Sequence, residues 1–166
     1  PEGHWQHGWA QKMQTARFVT PLDVNTLVCE HWVNALLQQI LLSTRPVVLV
    51  GHSIGVIAIA HVAAKLADTK VVGGFLVAPP DLEMQKGLPD GFTGFAPVPA
   101  EPLPFPTTFI ASSNDPYCSI EAAASMASAW GSAFNNAGEL GRVDKESGFG
   151  AWPEGLMAFA NLMKRL

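Results

Sequence analysis

Apolar positions recur every three or four residues at Trp5, Trp9, Met13 and Ala16, which is the stripe of an amphipathic helix. The short run Arg17 to Thr20, "RFVT", then predicts a strand. From Asn25 to Leu42 the positions Leu27, Val28, Trp32, Leu36, Leu37 and Ile40 fall again at helical spacing, with Asp23 or Asn25 available as a cap and Arg45-Pro46 as the stop. "VVLV", Val47 to Val50, is an unbroken apolar run of the kind buried on both faces of a parallel sheet, and it is expected to be a central strand. "IAIAHVAAKLA" returns to helical composition, and "VVGGFLVAPP" from Val71 is a second buried strand.

Between Pro79 and Pro106 stand Pro79, Pro80, Pro89, Pro97, Pro99, Pro102, Pro104 and Pro106, which exclude a long helix or a central strand and predict a long surface connection. A strand restarts at Thr107 in "TTFIASSNDP" and breaks at Asn114-Asp115-Pro116. "SIEAAASMASAW" reads as a helix capped by Ser119. A last strand is expected within "GSAFNNAGELGRV", where Gly and Asn dilute its pattern. "WPEGLMAFANLMKRL" closes the chain as an amphipathic helix, with Lys164 and Arg165 at its negative dipole end. Strands alternating with helices predict right-handed βαβ units, an α/β class chain and a doubly wound, mainly parallel sheet in a three-layer α/β/α sandwich.

Composition adds limits. At 166 residues, 48% hydrophobic and 14% charged, the chain reads as one domain, residues 1–166, with enough apolar mass for a sizeable core. Its net charge of -4, without a basic run, gives no electrostatic reason to expect nucleic acid or an anionic membrane surface. A small-molecule substrate fits better. Cys29 and Cys118 are too few for a disulfide framework and are expected as free thiols in a reducing compartment. No apolar run reaches the roughly 18 residues of a membrane span and no signal-peptide layout opens the chain, so the expected location is cytoplasmic. Nothing in the pattern calls for a metal or a cofactor.

The candidate chemistry lies in Gly51-His52-Ser53-Ile54-Gly55, a G-x-S-x-G between an apolar strand and an Ala-rich helix. That context is what a nucleophile elbow requires: the serine sits in a strained turn, and the flanking glycines are expected to let neighbouring backbone approach closely. The amide of Ile54 would then be one oxyanion donor, aided by the helix N-terminus. Asp115, 62 residues after Ser53 and at the end of a later strand, fits the acid in chain order; its competing reading is a turn or cap residue ahead of Pro116. The histidine should follow the last strand. The five histidines, however, are His4, His7, His31, His52 and His61. His31 and His61 fall inside helices, and His52 adjoins the nucleophile on a turn whose neighbours point to different sides.

"PEGHWQHGW", "GHSIG", "SSNDPYCS" and "SGFGAWPEG" together resemble the small cap-less serine hydrolases of the retinoblastoma-binding-protein-nine and YdeN-like family, a branch of the α/β-hydrolase fold, over Gly3 to Leu156. The resemblance implies Ser53 as nucleophile, Asp115 as triad acid and a general-base histidine in a G-H-I-N segment before the terminal motif. Here that segment is Gly141-Arg142-Val143-Asp144, so Arg142 stands at the family's histidine. The family's first strand, and the loop giving the second oxyanion donor, are expected at or before Pro1.

Arginine stays protonated and does not take a serine's proton at neutral pH. The expected function is therefore a carboxylesterase-like serine hydrolase acting on a small acyl ester, compromised at its base. One alternative base is His4, which with Trp5 and His52 is a pocket candidate; its competing reading is a cap on the first helix. The alternative function is a non-catalytic module that binds a ligand or a protein partner, with Arg142 recognising a carboxylate. A third reading places an error of assignment within residues 135–144. In the family's geometry Arg142 is expected to pair with Asp115.

Overall fold

A computed structural model describes residues 2–20, 27–84 and 91–166. Its elements in chain order are α1 (Trp5–Lys12), β1 (Leu27–Val28), α2 (Cys29–Leu42), β2 (Val47–His52), α3 (Ile54–Ala63), β3 (Val71–Val77), β4 (Phe92–Thr93), β5 (Thr107–Ala111), α4 (Ile120–Trp130), β6 (Ala133–Asn136) and α5 (Pro153–Met163). Four strands form one sheet in the order β2-β3-β5-β6, parallel throughout. The two-residue strands β1 and β4 pair separately, also in parallel.

Alternation along the strands sorts the core into two layers. Leu49, Leu76, Phe109 and Ala111 join Val33, Leu36 and Ile40 of α2, the apolar residues of α3, and Ala123, Ala127 and Trp130 of α4. Phe75, Val77 and Ile110 point to the other face, with Val48 and Val50 packed against them, and meet Trp5 and Trp9 of α1 and Leu162 of α5. Helices therefore cover both faces, which is why the strands read as continuous apolar runs. This is the three-layer α/β/α arrangement of an α/β-hydrolase-like fold.

Local signals end the helices where expected. The Ser119 hydroxyl accepts from the Ala122 N–H at 3.1 Å, and Gly131, at φ 68°, closes α4 in the left-handed conformation. On the second face Trp5, Trp9 and Trp152 pack with ring centroids 4.7 to 6.0 Å apart, pinning α1 beside the start of α5.

Several expectations need correction. Residues 17–20 form no strand: Phe18 is exposed, and Arg17 bonds back to the carbonyls of Gln14 and Ala16. α1 stops at Lys12, with Met13 as its C-cap. α2 begins at Cys29, after Val28, because Leu27 and Val28 pair with Phe92 and Thr93; the cap candidates Asp23 and Asn25 lie outside the described residues. Among the described residues β2 pairs with β3 alone, at the edge of the sheet rather than at its centre, and the Gln6 side chain reaches the Val50 carbonyl at 3.4 Å. The proline-rich connection is not wholly superficial, since Phe95 and Phe105 are buried and the Phe95 carbonyl bonds to His61.

Candidate active site

β2 delivers Ser53 to the carboxyl edge of the sheet, where α3 starts at the next residue. Ser53 has φ 52° and ψ -127°, a conformation costly for any side chain. Its N–H donates to the Val77 carbonyl at 2.9 Å and its carbonyl accepts from the Val56 N–H at 3.0 Å. A Cβ on Gly51 would lie 3.1 Å from the Val56 backbone, a tight approach that favours glycine in the strand-to-helix turn. Gly55 differs from expectation: a Cβ there meets nothing within 4 Å, and no close approach requires it. Ile54 is the first residue of α3, where an N–H lacks an intrahelical acceptor and faces outward with the positive end of the dipole.

Because the sheet is parallel, the loops after β5 and β6 open on the same edge. Asp115 lies on the first. Its Oδ1 accepts from the Tyr117 N–H at 2.9 Å, a turn-capping contact. Burial raises the Asp115 pKa, while that hydrogen bond and the Arg142 charge pull it down; the net shift is upward. Arg142 lies on the second loop, which Val143 anchors: Val143 is fully buried, has φ 53°, and its carbonyl accepts from Trp5 Nε1 at 2.9 Å. Among the described residues the non-glycine positions with φ in the left-handed range are Ser53, Ala78 and Val143, and each lies on a loop at this edge. Strain of this kind persists only where packing over-determines the backbone.

The Arg142 guanidinium points at the nucleophile candidate, with Nη2 donating to Ser53 Oγ at 2.6 Å. Its Nε lies 3.6 Å from Asp144 Oδ2, and its carbon sits 3.9 Å above the Tyr117 ring centroid. The ion pair expected with Asp115 is thus replaced by one with Asp144. The reason is local: Asp144 is two residues away on the same loop and is itself fixed by the N–H and hydroxyl of Ser147, both at 2.8 Å. Burial works to raise the Asp144 pKa, but the Ser147 hydrogen bonds and the Arg142 cation outweigh it and leave it lowered.

No histidine touches Ser53 Oγ. His52 bonds through Nε2 to the Arg142 carbonyl at 2.8 Å, which aims it away from its neighbour. His4 is buried and accepts the Gln6 N–H at Nδ1, so it caps α1; its ring lies 4.8 Å from that of His52. Burial lowers the pKa of both, that of His4 to about 4, and both are neutral at pH 7. Trp5 is fully buried and belongs to the core rather than to a pocket.

Tyr117, Asp144 and Ser147 are the site residues that sequence reasoning missed. The signal for two of them was the run "GRVDKESG", in which an Asp three before a Ser makes a local turn. Beside Asp115 the surface between Pro79, Ser112 and Cys118 forms a crevice too narrow for water, whereas a groove of about 400 Å³ lies elsewhere, between β6 and α5. Among the described residues no group of three or more His, Cys, Asp or Glu is placed to hold a metal, and no helix is long and apolar enough to cross a membrane.

The chain and its fold have counterparts among known proteins. A family model described as serine hydrolase matches residues 1–161. No curated protein matches the chain. A solved YdeN-like hydrolase from Pectobacterium atrosepticum is 31% identical with a TM-score of 0.85, over 99% of this chain and 84% of that one. The ydeN gene product of B. subtilis, at 17% identity and a TM-score of 0.75, covers 97% of this chain and 91% of its own. A hydrolase of the alpha/beta superfamily from Xanthomonas campestris, at 20% identity and a TM-score of 0.55, covers 83% and 70%. The last two are likenesses of fold alone.

Proposed function

Because the chain belongs to the serine hydrolase family, we propose that its chemistry is acyl transfer from a small acyl ester to Ser53, followed by hydrolysis. The observation that carries the reading is Ser53 itself, held at φ 52° between a parallel strand and a helix N-terminus. That arrangement exposes the hydroxyl and aims the Ile54 N–H at the oxygen that becomes negative in the tetrahedral intermediate. Asp115, on the same edge, would orient a base; the position of that base is taken by Arg142. A permanently protonated guanidinium donates to Ser53 Oγ and accepts nothing from it. Turnover at neutral pH is therefore slow, by several powers of ten relative to an intact triad.

A second reading has a specific observation behind it. With its Oγ occupied by Arg142, Ser53 is also what a non-catalytic relative would keep, the pocket then binding a ligand or a protein partner. Fluorophosphonate labelling of the full-length protein, with the modified residue mapped by mass spectrometry, separates the two. Slow labelling at Ser53, absent from Ser53→Ala, supports the hydrolase reading. Absence of label in both the natural protein and Arg142→His favours the binding module.

A further inference from the structure

We infer that Arg142 is a catalytic residue in its own right: it stabilises Ser53 as an alkoxide, so that the serine proton leaves to hydroxide from solvent instead of to a protein base. The inference rests on the reading of Ser53 as the nucleophile.

The contact between Nη2 and Oγ, 2.6 Å, is short even for a hydrogen bond from a charged N–H donor, and Arg142 is the one partner that Ser53 Oγ has among the described residues. The guanidinium is held from several directions. Tyr117 lies under its face at 3.9 Å, and Asp144 faces Nε at 3.6 Å. Its own backbone N–H donates to Ser147 Oγ at 3.1 Å, and its carbonyl is bonded by His52 at 2.8 Å. A cation fixed before reaction stabilises charge that develops next to it without reorganising. Asp144 competes for that cation, but from farther away than Ser53 Oγ. The groups that might instead take the proton are engaged elsewhere: His52 with the Arg142 carbonyl, His4 as a helix cap, Asp115 with the Tyr117 N–H and Asp144 with Ser147.

The cycle balances with water as the only co-substrate. Hydroxide removes the Ser53 proton and becomes water. The alkoxide forms a bond to the acyl carbon, whose carbonyl electron pair moves to oxygen beside the Ile54 N–H. Collapse reforms the carbonyl and breaks the bond to the leaving alcohol, which takes a proton from water. A second hydroxide attacks the acyl-serine; as that intermediate collapses, its proton passes to the departing Ser53 oxygen, which releases the carboxylate and restores the Ser53 hydroxyl.

The test is the pH profile of p-nitrophenyl acetate hydrolysis by the full-length protein, with the Ser53→Ala rate subtracted. A histidine base gives a rate that levels off above its pKa, whereas removal by hydroxide gives about a tenfold rise per pH unit from pH 6 to 9 without a plateau. Arg142→Gln, which keeps polarity and loses charge, should lower the Ser53-dependent rate at pH 9 by about 10- to 100-fold. Arg142→His should replace the slope with a plateau near neutrality. A plateau in the natural protein, or an Arg142→Gln rate equal to or above its own, overturns the inference while leaving Ser53 as nucleophile. Absence of Ser53-dependent hydrolysis in every form, Arg142→His included, removes the nucleophile reading and the inference with it.

Discussion

Gly51 and Gly55 occupy equivalent places in the motif and opposite places in the structure, so alanine at each should shift stability in opposite directions. At Gly51 the new methyl would lie 2.8 Å from Ile59 Cδ1 and 3.1 Å from the N and Cα of Val56. The Ile59 tip can turn aside. The Val56 backbone cannot, since its N–H is bonded to the Ser53 carbonyl at 3.0 Å, and Gly51 itself is paired in register with Leu76 of β3. Overpacking of this kind costs about 1–3 kcal/mol, offset by up to about 1 kcal/mol from the lost flexibility of glycine in the unfolded chain. With a net cost of about 1–2 kcal/mol, the melting temperature of a chain of this size should fall by about 2–8 °C. At Gly55 the methyl meets nothing within 4 Å and the residue is helical, so alanine should raise stability by about 0.5–1 kcal/mol and the melting temperature by about 1–4 °C. Thermal unfolding followed by circular dichroism measures both. Equal losses for the two variants would refute the argument that Gly51 alone is set by close backbone approach.

Further outcomes follow from the packing around the site. The His4 pKa is lowered to about 4, so the stability gained by keeping it neutral is whole above its ordinary 6.5 and is lost as pH falls toward 4. Urea titrations should show stability dropping by up to about 1.4 kcal/mol per pH unit across that window, and His4→Asn, which keeps an acceptor for the Gln6 N–H, should flatten the dependence; an unchanged slope would contradict it. Trp5→Phe leaves the buried Val143 carbonyl without its donor and should cost about 1–3 kcal/mol in denaturant unfolding, with loss of Arg142 order visible as a faster-exchanging Val143 region. Ser119→Ala removes the cap of α4 and should cost about 1 kcal/mol without changing labelling of Ser53.

Much of the scaffold is legible because its signals are local. Val47–Val50, the run from Val71 and "TTFIA" are apolar on both faces, and both faces turn out to be covered. Arg17 to Thr20 has a strand's composition too, but among the described residues no neighbouring strand completes its ladder. Leu27 and Val28 look helical by spacing; their partners Phe92 and Thr93 lie some 65 residues on, beyond the reach of any local pattern. The edge position of β2 is equally a matter of pairing rather than of composition. At the site, the elbow is written in five consecutive residues. The choice of Arg142 between Asp115 and Asp144 is not, because it depends on how the loops after β5 and β6 meet and on Ser147 holding one carboxylate in place. The stacking of Arg142 on Tyr117 has the same origin.

The proposed chemistry stands or falls on Ser53 being a nucleophile that lacks its base because arginine occupies residue 142. The most direct measurement compares hydrolysis of a short acyl ester at pH 7 by full-length natural protein and Arg142→His, with Ser53→Ala as the blank. In the histidine form an imidazole would stand beside Ser53 Oγ, with Asp115 free of any ion pair to Arg142 and available to orient it. Little Ser53-dependent turnover is expected in the natural protein and a gain of up to several powers of ten in Arg142→His. Rapid Ser53-dependent turnover in the natural protein at pH 7, or no gain in the histidine form, would contradict that expectation.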